Sequence, residues 1–193
     1  MKKKAADSGS AEHWDKHLKR ELANESDRAC VIIAAAVLDS ALMTLLKSHL
    51  IPVGTREDHL FDGANAPLST FSARIEMSHR LGLMDANLAR SLNLIRRIRN
   101  DFAHDVAGCS FEQSRVMNRM TELKRAIPMS DVDFPFRSMF PEGLRGEFEL
   151  IVSWLQWVIR SLSERIEPVA DSYHLSADVE MFERMRDDLK NVS

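Results

Sequence analysis

The chain has 193 residues, enough to bury one sizeable hydrophobic core, and nothing in it requires two domains. A formal net charge of −3 excludes a global electrostatic drive toward nucleic acid, so any such contact needs a local basic patch. Two cysteines, Cys30 and Cys109, exclude a disulfide framework and fit thiols in a reducing compartment.

Met1 to Lys4 is basic, but Ala5-Ala6-Asp7-Ser8-Gly9-Ser10 follows in place of an apolar run, so no secretory signal is read. Residues 1–10 are expected to be a flexible terminus, and residues 11–193 a single helical domain in a cytoplasmic protein. His13 and His17 stand four apart, a spacing that can chelate a metal from one helical face. No third ligand follows, so the pair is read as part of a solvated helix with Trp14 and Leu18 turned inward. No metal site and no cofactor are expected.

Ser26 or Asp27 can cap a helix running to about Leu50, with Ile32, Ala35, Leu38, Leu42, Leu45 and Leu46 as its apolar residues. Its most apolar stretch, Ala29 to Leu38, stops at Asp39 after ten residues, which reads as too short for a membrane span. Asp39 shares a stripe with Arg28, Ile32 and Ala35 and is set into an apolar helix. A buried carboxylate needs a cation, and Arg28 of another helix or Arg99 is the expected partner. In a functional reading Asp39 would orient Arg99 toward a phosphate.

Pro52 to Leu68 is a long loop rich in turn residues, in which Leu60, Phe61 and Pro67 can pin it over the end of a bundle. A further helix is expected to about Leu81, with Leu68, Phe71 and Ile75 facing the core and Gly82 as its stop.

Asp85 caps the most informative helix, which ends by Gly108. Leu88, Leu92, Ile95, Ile98, Phe102 and Val106 share its core face. Arg99 falls within that face, about 40° from Ile95, while Arg96, Arg97, Asn100, Asp101 and His104 lie off it. A buried arginine stays charged and needs a carboxylate, a phosphate or carbonyls, so Arg99 either reaches a structural acid such as Asp39 or Asp27 or serves a site. Arg99 and His104 are five apart, about 140° on a regular helix, so a site using both is easier to build where two copies of the helix meet. Arg97 is placed to pair with Asp101. Together Arg90, Arg96, Arg97 and Arg99 make this the most basic element of the chain.

The segment LNLIRRIRNDFAH, with Arg99, Asn100 and His104, resembles the signature helix of HEPN-superfamily proteins. Preceded by ESDRACVIIAAAVLDSALMTLLKSHL and LFDGANAPLSTFSARIEMSHRLGLMD, it resembles the mannitol-repressor-like (MtlR-like) proteins, over about Glu25 to Phe111. The resemblance implies an all-α, up-and-down bundle of about five to seven helices, paired as a homodimer with signature helices near the two-fold axis. In catalytic HEPN members the corresponding Arg and His form a metal-independent endoribonuclease site, which would make Arg99, Asn100 and His104 the catalytic candidates. His104 would be general base or acid and Arg99 would stabilise the phosphate's charge. MtlR-like proteins are described as transcriptional regulators without a recognisable DNA-reading motif, so membership leaves function open.

Ser110 with Gln113 forms a capping-box pattern opening a helix to about Ile127 through Val116, Met120 and Leu123. The stretch from Met129 to Gly146 carries Phe134, Pro135, Phe136 and Phe140, read as straps for a long loop or as a docking strip beside Arg137. The helix from Leu144 to about Glu167 has a regular stripe of Leu144, Phe148, Ile151, Leu155, Ile159, Leu162 and Ile166, with Trp157 pointing away from it. An outward Trp157 is a candidate contact residue, alongside Arg96, Arg97 and Asp39. A last helix is expected over about 176–189, presenting Val179, Phe182 and Met181 or Met185. The HEPN-like core would span about 25–127 and the C-terminal helices 144–190.

No Gly-rich phosphate loop, zinc spacing or helix-turn-helix reader stands out. The expectation is a non-enzymatic regulatory protein acting through a protein or RNA partner, without direct sequence-specific DNA binding and without a membrane. The alternative is a HEPN endoribonuclease using Arg99 and His104.

Overall fold

The computed structural model describes residues 20–22, 24–54, 56–105, 108–127, 137–169, 179 and 181–185. Among them are five α-helices with defined bounds: α1 (Asp27–His49), α2 (Phe71–Arg80), α3 (Ala86–His104), α4 (Ser114–Ala126) and α5 (Leu144–Arg165). A short 3₁₀ turn, Arg137–Met139, precedes α5, and no strand occurs among the described residues. The chain is thus an all-α bundle, as its periodicity requires.

Local chemistry sets the starts of the first three helices. Ser26 Oγ accepts from Ala29 N (3.2 Å), Thr70 Oγ1 from Ala73 N (3.2 Å) and Asp85 Oδ1 from Leu88 N (2.8 Å), each satisfying an otherwise orphaned donor. Gly82, at φ +71°, makes the turn after α2. The capping box expected at Ser110 does not form. Ser110 Oγ accepts from Glu112 N within a turn, and α4 begins four residues later with Gln113 at the cap and no side-chain capping bond. Gln113 is drawn elsewhere: its amide donates to the Gly108 carbonyl (3.1 Å) and its carbonyl accepts from Cys109 Sγ (3.3 Å).

Helix α1 is the centre of the bundle and packs against α2, α3 and α5, while α3 packs against α1, α2 and α4. Cys30, Val31, Ala34, Leu38, Leu42, Leu45 and Leu46 of α1 are fully buried. They meet Leu92, Ile95, Ile98 and Phe102 of α3 and Phe148, Ile151, Leu155 and Ile159 of α5 in one core. Tilted rings of Phe102, Phe111 and Phe148, with centroids 5.2 and 5.4 Å apart, join α3 to α5 through the intervening turn.

The apolar character of α1 runs past Asp39 to His49, so by length and composition the helix is long enough to cross a membrane, contrary to the shorter count that stops at Asp39. The bundle accounts for it, since a helix apolar on nearly all sides is what a central position requires.

Asp39 pairs with neither Arg28 nor Arg99. Its Oδ1 accepts from Arg74 Nη1 (2.8 Å), and Arg74 Nε donates to the Leu68 carbonyl (2.8 Å), tying α1, α2 and the preceding loop together. Asp27 is taken by Arg145 Nη1 (3.1 Å). Asp101 is bound by Arg119 of α4 and not by Arg97, because α4 brings a guanidinium into line with it. In the long loop, Phe61, Ala66 and Leu68 are buried while Leu60 and Pro67 are exposed, so Phe61 is the pin. Lys47 Nζ lies 4.9 Å from the Phe61 ring centroid, which holds the loop against the end of α1.

Helix α5 ends at Arg165, and Val169 N donates to the His49 carbonyl (2.7 Å), pinning the chain beyond α5 to the end of α1. Arg137 Nη1 donates to the Pro141 carbonyl (3.1 Å) and so serves the loop itself. His13, His17, Trp14, Leu18, Val106, Phe134, Phe136 and most of the expected last helix lie outside the described residues. Val179, Met181, Phe182 and Met185 are each more than half exposed.

Candidate functional site

The residues singled out on α3 sit at its C-terminal end, and the helix stays regular through His104. Five positions of a regular helix span about 140°, so Arg99 and His104 diverge within one chain. Arg90, Asn93, Arg97, Asn100 and His104 recur at three and four and form the outward stripe. Arg90, Arg97 and His104 are exposed there, and Asn93 and Asn100 half-buried.

Arg99 lies on the opposite, inward side, yet it is only half-buried and makes no hydrogen bond or ion pair among the described residues. The reason is the length of α2. Ten residues of α2 cover about 15 Å, against about 28 Å for the nineteen of α3. Gly82 turns the chain back immediately, so α2 runs beside the N-terminal half of α3, and beyond it Arg96 and Arg99 are half-buried and Ala103 exposed.

The acids of this region are already bound. Asp101 accepts from Arg119 and Asp105 from Arg115, and Arg28 of α1 donates to the Asp105 carbonyl. Arg119 also donates to the Arg97 carbonyl (2.8 Å). Arg96 Nε reaches only the neutral Asn93 Oδ1 (3.3 Å). The result is a cationic end to α3 with its negative groups turned toward α4.

The remaining candidates are not brought to this place. Asp39 is committed to Arg74 inside the bundle. Trp157 is 52% exposed on the outer side of α5, as its spacing requires. Elsewhere, Val37, Ser40, Ala41 and Thr44 of α1 and Gln156 and Arg160 of α5 line a cleft of about 560 Å³. No group of three or more His, Cys, Asp or Glu suited to a metal occurs among the described residues.

Sequence reasoning missed a second polar cluster. Arg145 donates to Glu149 Oε1 (2.9 Å), Asp27 Oδ1 (3.1 Å) and the Leu22 carbonyl (2.8 Å), joining three segments. Glu149 is 2% exposed, and Cys30 Sγ donates to it at 3.6 Å. Burial, reinforced by the neighbouring carboxylate, pushes the Cys30 thiol up to about 12. The available signal was the Arg145/Glu149 spacing of four at the start of α5. Arg74 was legible in the same way, as an arginine between Phe71 and Ile75 on an apolar face.

These features define an all-α helical bundle with a cationic helix end. No family model matches the chain, and no curated protein matches it. Among solved structures, it is similar to a chain of the MtlR–HPr complex from Escherichia coli, with a TM-score of 0.58 at 20% identity, over 77% of this chain and 99% of that one. The fold is therefore MtlR-like.

Proposed function

We propose that this chain is a non-enzymatic regulatory protein of the MtlR type, a single helical domain that works as a cytoplasmic homodimer through a macromolecular partner. The observation that carries the reading is the MtlR-like fold: a neighbour that covers almost its whole length here was solved bound to another protein, HPr. The divergence of Arg99 and His104 on a regular helix supports a role without chemistry in the single chain. The test is light scattering of the full chain alone and mixed with the HPr of its own organism. A dimer that forms a stoichiometric complex upholds the reading, and a monomer that ignores HPr at high micromolar concentration removes it.

One observation favours a second reading, the HEPN endoribonuclease. Arg99 has no carboxylate sealing it among the described residues and His104 is exposed, as a site shared between two copies would need. Cleavage of structured and single-stranded RNA by wild type, lost in His104→Ala, would establish it. Equal inertness or equal activity of the two proteins would dismiss it.

A further inference from the structure

The charge of this molecule is unevenly placed. The whole chain is net −3, yet α3 and α4 together carry eight lysines and arginines against two acids, Asp101 and Glu122. Asp101 is held by Arg119, and Glu122 lies 3.9 Å from Arg90, beside the other end of α3. The last two turns of α3 therefore show solvent Arg96, Arg97, Arg99 and His104 with no available acid on the same helix. Arg99 is the sharpest case: a half-buried guanidinium, always charged, with no acceptor among the described residues. Charged groups near the end of α3 are engaged elsewhere. Arg28 is itself a cation bound to the Asp105 carbonyl, and the Asp105 carboxylate holds Arg115.

We infer that the Arg96–Arg99–Ala103 flank of α3 is a docking surface for an acidic segment of a partner protein, with a carboxylate of the partner seated on Arg99 and a flanking acid on Arg96. This rests on the protein-partner reading above and gives it a place and a chemistry. A planar guanidinium takes a carboxylate in a two-point contact, and partial burial makes that contact worth more than a fully exposed pair. Clustered like charge also raises the encounter rate with an acidic surface. A protein is the occupant argued because the MtlR-like neighbour was solved in complex with a protein, and binding of RNA is the competing outcome of the test.

The experiment is a fluorescence-anisotropy titration of a labelled oligoglutamate peptide with the full chain at low ionic strength, run beside an oligouridylate of equal charge. Wild type is expected to bind the peptide in a salt-sensitive way. Arg96→Glu and Arg99→Gln should each weaken it, the former by about tenfold or more. Arg165→Glu, an equal charge change on the exposed last turn of α5, should alter it by less than about twofold. Circular dichroism of each variant checks the fold, and Arg96, which bonds only Asn93 of its own helix among the described residues, keeps the test open whatever the fate of the Arg99 variant. Absence of peptide binding, equal losses for Arg96→Glu and Arg165→Glu, or tighter binding of the oligouridylate would each overturn the inference. The two readings separate cleanly. A partner complex that forms equally with wild type and Arg96→Glu removes this surface and leaves the protein-partner reading standing. Peptide binding that depends on Arg96, in a chain that forms no complex with its HPr, retains the surface and removes that reading.

Discussion

Arg74 of α2 donates to Asp39 of α1 at 2.8 Å, and the two side chains are 10% and 28% exposed. This pair crosses the bundle and uses the one acid set into α1 between Asp27 and its C-terminus. Because Asp39 is satisfied there, Arg99 is left for solvent or a partner.

Breaking that pair should destabilise the fold. Arg74→Ala removes both the ion pair and the bond to the Leu68 carbonyl and leaves a partly buried carboxylate, at a cost of about 3 kcal/mol. Asp39→Asn keeps a polar acceptor and should cost about half as much. Urea denaturation of both variants checks the order; a milder effect for Arg74→Ala would contradict it.

Arg99→Ala should behave in the opposite way. With no partner among the described residues to lose, the variant is expected to keep its helical circular dichroism and to shift stability by less than about 1 kcal/mol. Light scattering on the same samples reads whether its oligomeric state follows wild type. An unfolded or dissociated variant would show that Arg99 is structural.

Gly146 has no room for a side chain. A Cβ there would stand 1.8 Å from the Pro141 carbonyl oxygen, backbone that cannot swing aside. Gly146→Ala, which would favour an unconstrained helix by about 1 kcal/mol, is instead expected to destabilise by about 2 kcal/mol or more as α5 is pushed from the turn before it. Thermal unfolding monitored at 222 nm gives the sign directly; a stabilised variant would show that the turn yields freely.

The Cys30 thiol predicts a pH dependence at the alkaline end. Its value in the fold is about 12, against 9.0 for a free thiol, so between those limits the folded state holds a proton the unfolded state has released. Stability from this group is present below about pH 9 and declines as pH rises toward 12, by up to about 1.4 kcal/mol per unit. Cys30→Ala should flatten that decline in denaturation midpoints measured from neutral to alkaline pH. Parallel curves for the two proteins would show that other groups carry it.

Most of the helices were legible in the chain itself. The caps at Ser26 and Asp85, the stop at Gly82 and the stripe from Phe148 to Ile159 are local features, and bonds three or four residues apart form wherever the helix does. The outward Trp157 followed from the same period. The helix start at Ser110 was misread because Gln113, which the local pattern assigns to a capping box, is bonded instead to Gly108 and Cys109 of the preceding turn.

Sequence alone determined that the protein is helical and that α3 carries a concentrated positive charge, because periodicity and composition act within each helix. Tertiary structure decided which acid meets which base. Asp39 goes to Arg74, Asp101 to Arg119 and Asp27 to Arg145, pairings set by how far one helix slides along another. It also decided that Arg99 has none among the described residues, since ten residues of α2 cannot reach along nineteen of α3.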